Sequence, residues 1–183
     1  MRVIVPLANG VEETEAITIL DVLRRGGIEA VGVSIDEFGL DVEGGHKIGL
    51  VADELWDDDD VAAADMILLP GGMAGVRVLK TDSRVLDALR DFDKQGKFIG
   101  ALCAAPAVLQ AAGILKGRKI TGYPGVESGI PDAEFHGGDS VVRDGNLITG
   151  TGPATAMEFA LAVIEMLVGT DVRQTVAKAL LFR

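Results

Sequence analysis

The sequence predicts an α/β fold built on a mainly parallel sheet with an added hairpin, and three observations carry that prediction. Apolar runs of strand length alternate with segments of helical period nearly to the C-terminus, the signature of strand–helix units. Runs such as VIV and MILL are continuously apolar, as buried strands are. Glycine supplies 24 of 183 residues, roughly twice the usual ~7%, which calls for several tight strand-to-helix loops.

The elements follow in order. Residues 2–7 form the first strand, and a helix over 11–25 is closed by Gly26-Gly27. Asn9 is placed as its N-cap, with Glu12 three residues later where a capping box wants a carboxylate. A strand over 29–35 is followed by two short strands within 41–51, a hairpin turning through Gly44-Gly45. The acidic run Asp57 to Asp60 lacks the central glycine and terminal glutamate of a calcium loop and reads as a solvated helix start. Residues 66–69 are a third strand ending in Pro70-Gly71-Gly72, with a short helix after it and a longer one over 83–95. The fourth strand, 98–102, runs into Cys103 and a helix over 104–112 stopped by Gly113. The pattern weakens between 116 and 138, where Tyr123-Pro124-Gly125 and Ile130-Pro131 mark loops. Two short strands flank Asp144-Gly145, and helices over 157–168 and 172–181 end the chain. No repeat or linker interrupts it, so residues 1–183 are expected to form a single domain.

Composition narrows the function. A net charge of -11 and no basic run longer than Arg24-Arg25 make nucleic acid and anionic membranes poor partners. The opening MRVIVPLA is too short an apolar run for a signal peptide, and no 18-residue apolar stretch occurs, so a cytoplasmic location is expected. A lone cysteine makes no internal disulfide, and with only His46 and His136 beside it a zinc cage is not expected.

Three places could carry chemistry. Cys103 stands where a strand meets a helix, the end of an open α/β sheet at which ligands bind, and a helix N-terminus there favours thiolate. A free cysteine also serves as a small buried hydrophobe. Glu15 interrupts the stripe Val11, Ile19, Val22, so it is either a buried carboxyl held protonated or a group at the stripe's edge reaching water. Its neighbours Glu12 and Glu13 have a local explanation as first-turn acids opposing the helix dipole. The run LLPGGMAG has neither a phosphate-loop nor a dinucleotide ending; Gly71 and Gly72 offer closely approachable backbone N–H groups, or a plain turn. His46 and His136 sit beside glycines in turns, where surface histidine is the default.

Taken together, ANGVEETEAITILDVLRRGG, LLPGG, ALCAAP and GPATAMEFALAVIEMLVG resemble the ThiJ/PfpI superfamily over essentially the whole chain, nearest its DJ-one and YajL branch. The resemblance implies a flavodoxin-like three-layer sandwich of the class I glutamine amidotransferase-like kind that forms homodimers and needs no cofactor or metal. It places Cys103 on a strained nucleophile elbow in hydrogen-bonding contact with Glu15, with oxyanion-type backbone donors at Gly72 and Ala104 and Gly71 beside them. Ala104 stands where protease-like members carry a histidine, which argues against peptidase activity. His46 replaces a hairpin arginine, Arg25 matches a second arginine near the dimer contact, and His136 falls in the region from which a family histidine approaches the cysteine.

Two functions compete on this reading. In one, Cys103 and Glu15 convert small aldehydes such as methylglyoxal, or glycated amines, in the manner of a glyoxalase III or protein deglycase. In the other, oxidation of Cys103 makes a redox-responsive chaperone or peroxide sensor.

Overall fold

The five central strands of the sheet assemble because each contributes an apolar run that only a covered sheet can bury. The computed structural model describes residues 1–182. Its strands are β1 (Arg2–Leu7), β2 (Glu29–Ser34), β3 (Asp41–Glu43), β4 (Gly49–Val51), β5 (Glu54–Leu55), β6 (Met66–Leu69), β7 (Phe98–Leu102), β8 (Lys119–Ile120), β9 (Glu134–Phe135), β10 (Val141–Asp144) and β11 (Leu147–Gly150). The main sheet runs β10-β11-β7-β6-β1-β2-β5, parallel throughout except at the β10–β11 edge. The expected hairpin is β3–β4, a separate antiparallel pair turning through residues 44–48.

The helices are α1 (Glu13–Arg25), α2 (Asp58–Ala63), α3 (Met73–Leu79), α4 (Ser83–Gln95), α5 (Pro106–Ala112), α6 (Ala156–Val168) and α7 (Thr170–Ala179). α1, α6 and α7 pack together, and α4 packs with α2 and α5. The sheet between these two groups completes the three layers of a flavodoxin-like sandwich. Ala16, Ile19, Val22 and Leu23 are the buried stripe of α1. Asp57 caps α2 by accepting from the N–H groups of Asp59 and Asp60, so the acidic run is the helix start the sequence indicates.

Three local expectations are corrected. α1 begins at Glu13, and Asn9 does not cap it: its Oδ1 accepts from the Glu43 N–H at 2.8 Å and fastens the hairpin to the loop after β1. The helix expected to begin at Ala104 begins at Pro106, whose fixed φ suits the first helical turn, and residues 103–105 form a turn. The weak region holds a short parallel pair, β8–β9, and β5 extends the main sheet at its edge.

Candidate active site

Cys103 follows β7 directly, and its backbone adopts φ 61°, a left-handed conformation that costs a non-glycine residue roughly 1–3 kcal/mol. Hydrogen bonds on both sides hold it there. Its N–H donates to Gly150 O at 2.9 Å, and its carbonyl accepts from the Tyr123 N–H at 2.8 Å. The turn lifts the side chain off the strand end toward the β6–α3 loop.

That loop is built to approach the sulfur. A Cβ on Gly71 would lie 2.6 Å from the Cys103 Cβ and 2.7 Å from Glu15 Oε2, so only glycine fits between the two groups. Gly72 has φ 96° and lies against the backbone of Gly10 and Glu12, which excludes a side chain as well. The backbone N–H groups of Gly72 and Ala104 face the Cys103 sulfur and draw its pKa down.

Glu15 reaches the same point from α1 with no exposed surface. Its Oε2 accepts from the Gly71 N–H at 2.7 Å, while Oε1 is buried with no hydrogen-bond partner among the described residues. The side chain that contacts the carboxyl is Cys103. A carboxyl proton therefore belongs on Oε1, the oxygen not occupied by an incoming N–H.

Burial pushes Glu15 up to about 7, against the hydrogen bonds from Gly71 and Cys103. Burial also pushes the Cys103 thiol up to about 12, with the Glu15 charge and hydrogen bond adding to it and the Ala104 and Gly72 N–H groups opposing it. The lowered thiol pKa expected from a helix N-terminus is thus outweighed by desolvation and by the neighbouring carboxylate. Both groups are pushed up and each acts on the other, so near neutrality the pair shares one proton. With that proton on Glu15 Oε1 the sulfur is a thiolate that the Gly72 and Ala104 N–H groups favour.

Cys103 is on the wall of a cavity of about 360 Å3. Glu12, His46, Gly72, Met73, Tyr123 and Pro153 line it as well. His46 reaches the cavity on the hairpin turn, its Nδ1 3.0 Å from Glu13 Oε2 and 3.5 Å from Glu12 Oε2. The hydrogen bond to Glu13, then the charges of Glu12 and Glu13, raise its pKa. Ligand atoms of Glu12, Glu13 and His46 lie within 4.8 Å of one another, a donor set a metal could use. Glu13, however, already accepts from the N–H groups of His46 and Ile48.

Two candidates fall outside the site. His136 is held by Glu134 at 3.0 Å and faces Asp139 at 3.8 Å, and it does not line the Cys103 cavity. Arg25 is half-exposed, bonded to Asp21 along α1 at 2.7 Å, and borders a different depression with α7. Conversely, Tyr123 and Met73 line the site without having been singled out for chemistry. The Tyr123-Pro124-Gly125 turn was legible, but nothing in one chain shows that such a loop folds over a cysteine twenty residues earlier.

An α/β sandwich with a cysteine on a left-handed elbow and a buried carboxyl beside it defines a class of flavodoxin-like proteins that carry a cysteine where a central strand meets the next helix. The chain belongs to the DJ-1/PfpI family, whose model matches residues 1–166. It is 38% identical over 181 residues to Protein DJ-1 homolog B of Arabidopsis thaliana, covering 98% of this chain and 41% of that one. Against Protein dj-1beta of Drosophila melanogaster it is 38% identical, covering 97% and 95% of the two chains. Isonitrile hydratase of Pseudomonas putida is 38% identical over 119 residues, covering 64% and 52%. The chain thus spans less than half the length of the Arabidopsis relative and nearly all of the Drosophila one. The crystal structure of Drosophila melanogaster DJ-1beta superposes with a TM-score of 0.93 at 38% identity, covering 100% and 98% of the two chains. Oxidized Toxoplasma gondii DJ-1 gives 0.90 at 34%, covering 99% and 98%.

Proposed function

We propose that the protein converts small 2-oxoaldehydes to 2-hydroxy acids, with Cys103 as nucleophile and Glu15 as proton shuttle. The contact of the Glu15 carboxyl with a sulfur that the Gly72 and Ala104 N–H groups face, on the wall of an open cavity, carries this reading.

The thiolate adds to the aldehyde carbon, and the resulting alkoxide takes a proton to give a hemithioacetal. Glu15, ionised after delivering its proton, removes hydrogen from that carbon, and the electron pair passes through an enediol to the ketone carbon. Reprotonation there leaves a thioester of the 2-hydroxy acid, which water hydrolyses to free the acid and Cys103. The aldehyde carbon is oxidised and the ketone carbon reduced, so no external oxidant, metal or cofactor enters the balance. With a glycated amine the C–N bond of the hemiaminal breaks as the C–S bond forms, the amine leaves with a proton, and the same hemithioacetal results.

Methylglyoxal offered to purified protein in D2O, with lactate followed by NMR, tests the reading. Lactate formation by wild type and its loss in Cys103→Ser are expected; no lactate above the uncatalysed rate overturns it.

A second reading is favoured by the oxidized Toxoplasma neighbour. A peroxide oxidises the thiolate to sulfenate, releasing water, and a second equivalent gives sulfinate, whose oxygens the Glu15 O–H and backbone N–H groups can hold. A chaperone activity that changes with peroxide in wild type but not in Cys103→Ala supports it. Homodimer formation belongs to the same proposal: α1 exposes Ile17 and the hairpin exposes Val51, apolar surface suited to a second copy. Light scattering at micromolar concentration decides it.

A further inference from the structure

We infer that the Cys103 cavity selects 2-oxoaldehydes bearing a flat apolar or aromatic substituent, with Tyr123 and Met73 as the residues that set the preference. This rests on the function proposed above and adds the substituent class to it.

Size is the first observation. The cavity of about 360 Å3 falls in the range of sites that enclose ligands much larger than a three-carbon aldehyde. Methylglyoxal has one methyl group to offer the walls. A ring would fill that space.

The character of the walls is the second. Met73 is 63% exposed and Tyr123 51% exposed, both on the cavity and neither absorbed by the core. Large apolar side chains displayed together around a reactive group gain by covering a ligand, and a tyrosine ring adds offset or edge-on contacts to a flat partner. The other lining groups disfavour an anionic substituent, because Glu12 shares the cavity and Glu15 stands behind the sulfur. The His46 ring is already engaged by Glu13 and Glu12. A neutral substituent is what remains.

Gly152 supplies the third. Its φ of 166° is ordinary extended backbone, so its backbone does not demand glycine. A Cβ there would lie 3.4 Å from Tyr123 Cδ2 and 3.9 Å from Cys103 Sγ. One point in space is therefore in van der Waals range of both the ring and the sulfur. A group carried by a carbon bonded to Sγ enters that slot and meets the tyrosine, and Gly152 leaves the slot open.

The test compares phenylglyoxal with methylglyoxal by kcat/KM in wild type, Tyr123→Ala and Gly152→Ala, so that intrinsic reactivity cancels between proteins. The phenyl-to-methyl ratio is expected to fall about tenfold in Tyr123→Ala through loss of the apolar wall, and to fall in Gly152→Ala through filling of the slot. In parallel, Cys103 is alkylated with phenacyl bromide and with bromoacetone, each rate normalised to free cysteine; the same drop is expected without any turnover. If wild type turns over neither aldehyde while the alkylation ratio still falls in Tyr123→Ala, the aromatic wall stands and the oxoaldehyde reading fails. If both aldehydes are turned over and neither ratio moves by more than twofold, the wall is overturned and the oxoaldehyde reading survives.

Discussion

Glu13 and Glu15 are the same residue, two positions apart on α1, with 2% and 0% of their surfaces exposed, yet their acidities move in opposite directions. Two helical positions are separated by roughly 200° around the axis, so one carboxyl faces the hairpin and the other the sheet crest. Burial raises both. Glu13 answers it with hydrogen bonds from its own backbone, from the His46 N–H at 2.6 Å, from the Ile48 N–H at 3.4 Å and from the His46 ring at 3.0 Å, and is held at about 2. Glu15 receives one backbone N–H and a thiol, and rises to about 7. Donor number and depth together separate a structural carboxylate, gathered under the hairpin turn by several donors, from one set deep beside a thiol with a single backbone N–H and poised to exchange its proton near neutrality.

The largest effect is expected where the contact on the Glu15 side is removed by bulk. Gly71→Ala drives a methyl group into the Cys103 Cβ and Glu15 Oε2, so the pair must separate. Oxoaldehyde turnover should fall by at least ~10³-fold, the scale of losing both proton shuttle and positioned donors. Circular dichroism that remains native while lactate formation is retained would break the assignment.

Glu15→Gln comes next and separates reactivity from catalysis. The amide cannot accept and return a proton, so turnover should drop by ~10²- to 10⁴-fold. The same change removes the charge that helps push the thiol up, so the Cys103 alkylation midpoint should move below that of wild type. A faster-reacting thiol in a slower enzyme is the signature of a shuttle; wild-type turnover in this variant would exclude that role.

The two glutamates also differ in how far the sequence discloses them. Glu15 was visible because an acid breaks an apolar stripe at helical spacing, a conflict that local chemistry does not resolve. Glu13 was hidden because first-turn acids already have a local reason, and its partners come from a turn more than thirty residues away. The same division runs through the fold. α4 and β7 were legible, one as a Leu- and Val-rich helical stretch over 83–95 and the other as an apolar run over 98–102 leading into Cys103. β5, β8 and β9 have two residues each, too few for any period, and exist because longer neighbours offer them an edge. Cys103 and the glycine loop were readable as motifs. Tyr123, Met73 and the failure of His136 to reach the sulfur depend on how loops cross in space.

Stability against pH should show the two signs directly. Glu13 has a folded pKa below its ordinary value of 4.5, so its contribution is present above 4.5 and lost as pH falls toward about 2. Glu15 has a raised folded pKa, so the folded state holds a proton the unfolded chain releases; stability falls as pH rises from 4.5 through about 7, by about 3 kcal/mol at most. Thermal melts from pH 2 to 8 should therefore lose the acid-side slope in Glu13→Gln and the neutral-side slope in Glu15→Gln. Glu13→Gln should also be less stable at pH 7 by about 1–2 kcal/mol, since an amide replaces a carboxylate facing several donors. Identical profiles for the two variants would mean the environments are not opposed.

The smallest effect is expected at His46, and it asks which part of that residue holds Glu13. Its ring is largely exposed, whereas its backbone N–H makes the shorter contact to Glu13. Gly44 cannot accept a Cβ without striking the Glu13 side chain, so the turn is seated on the carboxylate by its backbone. His46→Ala keeps that backbone donor and removes only the ring. The midpoint at pH 7.5 should change by about 2 °C or less, and the Glu13-dependent acid slope should persist. The sign with pH follows from the raised histidine pKa: the ring's contribution is fully present below the ordinary 6.5 and disappears as pH rises through the folded value, so the difference between wild type and variant should shrink on going from pH 6 to pH 9. Loss of the acid slope in His46→Ala would transfer the hold on Glu13 from the backbone to the imidazole, and the contrast between the two glutamates would then depend on a surface side chain.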